Sequence, residues 1–472
     1  MKVVKNYLYN AFYQIFVLLV PLVTTPYLSR ALGPQGVGIN SYTNSIIQYF
    51  ILAGSIGIGM YGNRQIAFVR DNKEELTKTF YEIFFLRIIT IAIAYVFFIV
   101  FLLLTKEYRL YYIAQSISII AAAFDISWFF MGVENFAVTI FRNLVIKILS
   151  LICIFTFVKS FDDLFIYIAI LSLSLLLGNL TLFPSLKRYI GKVNWKKLNV
   201  LKHLLPSISL FIPQIAIQIY LVVNKTMLGS LDSVVAAGYF DQSDKVIRLV
   251  LAIVTATGTV MLPHVANAYM RGDVEKTKES LYSSFSFVSA LSVPMMFGMI
   301  AVTRKFVPLF FSNKFIAIIP LMQVESIVIL IIAWGSAIGV QYLLPTQQNK
   351  SYTISVVLGA IVNIIVNVPL ILWLGAFGAS IATVCSEMTV SGYQLFCVRK
   401  QISYKRLFHD FGKYMSAGFL MFVIVCFMDG KLGYSWATLV MEVTVGAIAY
   451  LILLYILRAD ILREAKKILK MR

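Results

Sequence analysis

The sequence predicts an all-α integral membrane protein with about fourteen transmembrane helices, and three observations predict it. Of 472 residues, 60% are hydrophobic and only 13% charged, whereas a soluble domain carries about 25% charged residues. The apolar residues gather in runs of about 17 to 25, the length that crosses a hydrocarbon core. Aromatic residues make up 14% of the chain, and Tyr and Trp favour the level of the lipid headgroups.

Taken in order, spans are expected near 7–29, 37–61, 81–104, 109–131, 139–159 and 164–186. Six more follow near 204–228, 234–262, 283–303, 316–343, 352–374 and 378–398, and a last pair near 413–428 and 436–457. The longest linker, between Lys187 and His203, is under about twenty residues, too short for a soluble domain. Lys2 and Lys5 precede a run interrupted by Pro21 and Pro26 with no small-residue cleavage site, so the first helix is expected to be retained.

The formal net charge is +19. The cations cluster in short loops, which argues for topology signals and lipid contacts and against nucleic acid as a partner. Alternate loops hold about 28 and about 8 Lys and Arg, placing both termini in the cytoplasm by the positive-inside rule. The segments KRYIGKVNWKK, RKQISYKR and REAKKILKMR are suited to anionic headgroups.

Bond-making chemistry is absent from the pattern. No GxxxxGK[ST], HExxH or GxSxG motif occurs, and His203, His264 and His409 lie far apart in sequence. Cys153, Cys385, Cys397 and Cys426 lack the spacing of a zinc site or disulfide framework and read as packing thiols. No enzyme activity, metal or cofactor is expected.

Charge inside the membrane is costly and marks pairing, water or function. Arg87, Lys147, Lys225, Lys245 and Arg248 fall within spans. Arg87 is expected to snorkel to the cytoplasmic interface, and Lys147 to lie near the inner end of its helix. Asp241 with Lys245 and Asp244 with Arg248 have i, i+4 spacing, so each pair either neutralises itself or lines a hydrated surface. Gln214, Gln218 and Lys225 share one helix face, a polar stripe suited to an anionic cargo or to helix packing. Ser41, Asn44 and Gln48 form a second stripe, and Asn363 with Asn367 a third. Asp125 is the expected partner of a buried cation, while Glu325, Glu387 and Glu442 are open between protonation, pairing and ion coupling. Pro21, Pro26, Pro206, Pro213 and Pro294 are candidate bending points. SRALGPQGVGINSY also echoes NKTMLGSLDSVVAAGYF, a faint internal repeat.

PYLSRALGPQGVG, YGNRQIA with VRDNKEE after it, FDISWFFMGVENF, FRNLVIK, NKTMLG, and YFDQSDKV with VMLPHVANAY downstream follow one another in a characteristic order. Nearly end to end, the chain resembles the bacterial polysaccharide repeat-unit flippases, the Wzx type of the multidrug, oligosaccharidyl-lipid and polysaccharide exporter superfamily. The resemblance implies a MATE- and MurJ-like arrangement of two six-helix lobes, over 1–203 and 204–412. Two extra helices and a basic cytoplasmic tail would occupy 413–472. It implies movement of undecaprenyl-pyrophosphate-linked oligosaccharide from the inner to the outer leaflet of the cell membrane, for capsule, O-antigen or another surface polysaccharide. A polymerase and chain-length proteins are the implied partners, and a central cationic cavity with alternating access the implied mechanism. By position in the motifs, Arg30, Arg64, Asp125, Lys225 and Lys245 carry over. Lys225, Lys245 and Arg248 are then expected to attract pyrophosphate, and Gln214, Gln218, Ser41, Asn44 and Gln48 to contact sugar hydroxyls. Asp125, Asp241 and Asp244 are expected in charge pairing or ion coupling. Asn224 stands where many relatives have an acidic residue, which disfavours ion coupling there. A lipid II flippase and a cation-coupled multidrug antiporter of the same superfamily are the alternatives, with a non-transporting scaffold for polysaccharide synthesis as a different class.

Overall fold

The computed structural model describes residues 2–462, with side chains described outside 2–18, 210–217, 219–221, 257–261, 263 and 264. Helix is the only regular structure among them, as expected where no water is present to satisfy free backbone groups. Ten helical stretches among the described residues are long and apolar enough to cross a bilayer. Two of these, Leu19–Val69 with 51 residues and Asn349–Val398 with 50, would each run about 75 Å at 1.5 Å per residue. That is more than twice the roughly 30 Å of a hydrocarbon core. Both are interrupted by a glycine in a backbone conformation that L side chains rarely adopt, Gly33 at φ 66° and Gly375 at φ 57°. Each long stretch is therefore long enough for two crossings. With Leu204–Leu231 and Val234–Met270, of 28 and 37 residues, the helices are compatible with fourteen crossings.

The chain divides into two compact units, Met1–Gly229 and Ser230–Arg472. The first contains α1 (Lys2–Ser55), α2 (Ile58–Val69), α3 (Lys73–Leu104), α4 (Arg109–Ala123), α5 (Ser127–Gly132), α6 (Phe136–Phe157), α7 (Leu164–Leu180), α8 (Phe183–Leu186) and most of α9 (Leu204–Leu231). The expected span at 37–61 stops at Ser55, and Gly57 at φ 72° opens α2 as a separate helix. Helix α3 starts eight residues before the expected 81, because Asn72 Oδ1 accepts from the backbone N–H of Glu74 at 3.0 Å and Glu75 at 3.2 Å. The charged first turn escaped a reading that counted apolar residues.

The core of this unit unites two of the sequence motifs. Trp128 of FDISWFF is fully buried, stacks on Phe80 at 5.7 Å between centroids and meets Gly62 of YGNRQIA. A Cβ at Gly62 would come within 2.5 Å of the indole ring, so the glycine makes room for the tryptophan. The two Leu-Gly pairs of the faint repeat serve different purposes. Gly33 forms the break in α1, while Gly229 lies inside α9 with its Cβ position 2.0 Å from the Tyr42 ring.

The second unit contains α10 (Val234–Met270), α11 (Val274–Phe310), α12 (Ile318–Gly335), α13 (Asn349–Val398), α14 (Tyr404–Leu407), α15 (Phe411–Asp429) and α16 (Trp436–Ile456). Helix α11 packs on α10, α12, α15 and α16. Asp273 caps it by accepting from Lys276 N at 3.0 Å, so it too begins before its expected 283. Phe285, Trp334, Phe408 and Phe411 make an aromatic cluster that joins α11 and α12 to the start of α15. Beyond α12, Ser336–Leu343 winds as a π-helix, a local widening that often accompanies function.

Candidate functional site

Within the first unit, α1, α4, α6 and α7 line a half-open chamber of about 430 Å³ with both apolar and polar walls. Asn40, Asn44 and Gln48 enter from α1 at four-residue spacing, which keeps them on one helix face. Gln115 comes from α4, Lys147 and Ser150 from α6, and Ser172 and Ser174 from α7. The walls are tied by Gln115 Nε2 donating to Asn40 Oδ1 at 3.3 Å, Ser118 to Ser172 at 3.1 Å, and Ser150 to Ser174 at 2.8 Å. Gln115 is buried, and its Oε1 has no hydrogen-bond partner among the described residues.

Lys147 stands halfway along Phe136–Phe157, which corrects the expectation that it lies near the inner end of its helix. The span begins several residues before the apolar pattern alone indicated. Arg87 also departs from expectation: it is 5% exposed rather than extended to the interface. Its Nε donates to Ala122 O at 2.5 Å and its Nη2 reaches Asp125 Oδ2 at 3.3 Å. Asp125 Oδ1 accepts from Ser127 N at 3.0 Å and Ser127 Oγ at 2.6 Å, so the carboxylate pairs with Arg87 and also holds the first residue of α5.

The other anticipated residues are dispersed. Asn44 and Gln48 line the chamber, whereas Ser41 is buried outside its lining. Arg30 is exposed and donates to Pro26 O at 3.2 Å, and Arg64 is exposed with its guanidinium 5.8 Å from the Tyr61 ring centroid. Lys225 is half-buried on α9, next to Thr226, which shares a 2.8 Å hydrogen bond with Ser45. Gln218 is exposed, and the side chain of Gln214 lies outside the described residues. In the second unit, Lys245 Nζ lies 2.5 Å from Asp241 Oδ2 and Arg248 Nε 2.8 Å from Asp244 Oδ2. The cations are the more exposed members of both pairs.

The sequence does not anticipate Lys305 and Glu82, whereas it leaves Glu325 and Glu442 open between protonation, pairing and ion coupling. Lys305 is fully buried on α11, in contact with the Glu442 carboxylate and 3.3 Å from Asp429 Oδ1. The signal for it was Glu442, an acid deep in a span that requires a cation. Glu325 is buried and accepts from Ser243 and Ser380. In the first unit, the fully buried Glu82 accepts from Asn199 N at 2.8 Å, with Lys202 Nζ at 2.7 Å and His203 Nε2 at 3.0 Å. Tyr61 completes this cluster, its hydroxyl 2.6 Å from His203 Nδ1. It ties the linker before α9 to α2 and α3.

Burial, reinforced by Lys202 and opposed by Glu82, holds the His203 imidazole below its ordinary value of 6.5. The unfolded chain takes up a proton near 6.5 that folded His203 refuses, so this contribution to stability is complete above that pH and is lost as pH falls below it. In detergent, the melting temperature of the wild type is expected to fall further between pH 7.5 and 5.5 than that of His203→Gln. Parallel profiles would refute this assignment.

A family model described as "Polysaccharide biosynthesis protein" matches residues 3–269. A protein of Escherichia coli (strain K12) provisionally named an O-antigen transporter is 23% identical over 403 residues, covering 84% of this chain and 96% of that protein. Among solved structures, the lipid II flippase MurJ in an inward closed conformation superposes with a TM-score of 0.75 at 16% identity, over 97% of this chain and all of that one. An inward-facing multidrug resistance MATE family transporter of the MOP superfamily gives 0.64 at 14% identity, over 81% of this chain and 94% of the other. At such identities the structural likeness establishes the fold, that of the MOP exporters.

Proposed function

Since the chain belongs to the polysaccharide biosynthesis protein family, we propose that it is a flippase moving undecaprenyl-pyrophosphate-linked oligosaccharide repeat units from the inner to the outer leaflet of the bacterial cytoplasmic membrane. The observation that carries this reading is the family match over 3–269, which covers all but the first two residues of the unit holding the chamber. The fold and the similarity to the O-antigen transporter agree with it. Both termini are cytoplasmic in this reading, and movement proceeds by alternating access.

Lys225, Lys245 and Arg248, with Arg30 and Arg64, attract the pyrophosphate. Partial exposure of Lys245 and Arg248 leaves part of each cation able to meet an anion, while Asp241 and Asp244 limit the cost of keeping them in the membrane. Amides such as Asn44, Gln48, Gln214 and Gln218, with Ser41, exchange hydrogen bonds with sugar hydroxyls, and the lipid tail remains in the bilayer. Polymerase and chain-length proteins take over the delivered unit.

A deletion strain complemented with wild type or with Lys225→Ala plus Lys245→Ala tests this. The deletion is expected to remove surface polysaccharide and trap lipid-linked units in the inner leaflet. The double variant, expressed at wild-type level, is expected to restore less than about a tenth of the glycan, on the scale of two lost charge-assisted contacts. Normal glycan from the deletion strain, with no redundant flippase, would refute the function. Full restoration by the double variant would refute the role of the cations.

A further inference from the structure

We propose that the chamber around Lys147 is a subsite for an acidic sugar residue of the cargo, recognised through its carboxylate. This rests on the flippase reading and adds to it a substrate class and a location wholly inside the first unit.

Lys147 occupies the middle of a membrane-spanning helix, and it has no hydrogen-bond or ion-pair partner among the described residues. Arg87 and Lys305, two buried cations within other helices, have carboxylates beside them. A cation held at the centre of a span without an internal counter-charge is satisfied by an external anion or by water. Among the described residues, no other charged side chain lines the chamber. One cation balances one carboxylate, whereas a pyrophosphate brought to the same place would keep uncompensated negative charge in a medium of low dielectric.

The remaining lining argues for a sugar around that carboxylate. Asn40, Asn44, Gln48 and Gln115 present neutral donors and acceptors, and Gln115 Oε1, buried and without a partner among the described residues, is an acceptor suited to a hydroxyl that donates. Leu151, Ile154, Ile168 and Leu171 supply apolar surface beside these amides, a mixture suited to a sugar ring with its C–H faces and hydroxyls. The volume of about 430 Å³ is that of a small-molecule site.

The test uses the purified full-length chain in detergent, with thermal stabilisation measured during titration of D-glucuronate, D-glucose or geranyl pyrophosphate. Glucuronate is expected to stabilise the wild type saturably. Lys147→Met is expected to raise its half-saturation by about tenfold or more, the scale of a lost charge-assisted hydrogen bond, while Lys147→Arg remains within a few-fold. Glucose, lacking the charge, is expected to bind more weakly and to be indifferent to Lys147→Met. Gln115→Leu, which keeps Lys147 in place, is expected to weaken both sugars and serves as the second variant if Lys147→Met does not fold.

The assignment is overturned if glucuronate does not stabilise the wild type, or stabilises Lys147→Met equally. It is also overturned if Lys147→Met or Gln115→Leu weakens geranyl pyrophosphate and leaves glucuronate unchanged, which would give the chamber to the lipid headgroup. A chain that binds glucuronate through Lys147 but whose deletion spares surface glycan refutes the flippase and leaves the subsite standing. The converse result refutes the subsite alone.

Discussion

Lys305→Met is expected to cost about 3–5 kcal/mol, the usual consequence of removing one partner from a buried ion pair. Lys305 and Glu442 are both fully buried, so deleting the cation leaves a carboxylate with neither water nor counter-charge. Asp429 loses the same partner but keeps 14% exposure of its side chain, enough to recover some hydration. The loss is comparable with the whole net stability of many domains, about 5–15 kcal/mol. Detergent-solubilised Lys305→Met should therefore melt well below the wild type and run largely as aggregate on size-exclusion chromatography. Lys305→Met combined with Glu442→Leu should recover most of the loss, because replacing both charges removes the desolvation penalty along with the attraction. A single variant as stable as the wild type would show that the pair does not hold α11 to α16. The cost is large because the interaction is cut off from solvent, which distinguishes it from the exposed pair Arg70–Glu134, of small expected effect.

Gly378→Ala is the second large effect, expected at about 3 kcal/mol or more. After the break at Gly375, the second half of α13 passes so close to the first that a Cβ at position 378 would lie 2.0 Å from the Leu370 carbonyl oxygen. The obstacle is backbone, so no rotamer change relieves it, and the two halves of the helix must separate. Membrane abundance and melting temperature of Gly378→Ala, compared with alanine at the open position Gly392, measure the effect. Equal behaviour of the two variants would show that the turn opens readily.

Much of the architecture was legible because membrane helices announce themselves by length and apolarity. Two of the boundary errors lay at polar first turns. Residues 73–81 and 274–283 are largely polar, and their helical state follows from the caps at Asn72 and Asp273. The site was legible only in fragments. Asn44 and Gln48 were recognisable as one stripe, but their neighbour in the chamber is Asn40, while Ser41 is buried elsewhere. Helical period tells which residues share a face, and both Asn40 and Ser41 are consistent with it. Gln115, a single amide in the apolar run of α4, gave no periodic signal at all. It gained significance when α4 packed against α1 and placed it beside Asn40.

From the sequence alone came lipid as the solvent, the helices, and the ionic geometry of Asp241 with Lys245 and Asp244 with Arg248. These depend on composition and on residues within one or two turns, where backbone hydrogen bonding dictates spacing. The tertiary structure decided that Arg87 turns inward to Asp125, that Lys305 meets Glu442 across 137 positions, and that Lys147 faces amides and hydroxyls instead of an acid. A charge inside a membrane demands compensation wherever it lies. Which distant group supplies it is settled only when helices pack, because that choice depends on which faces meet and at what depth.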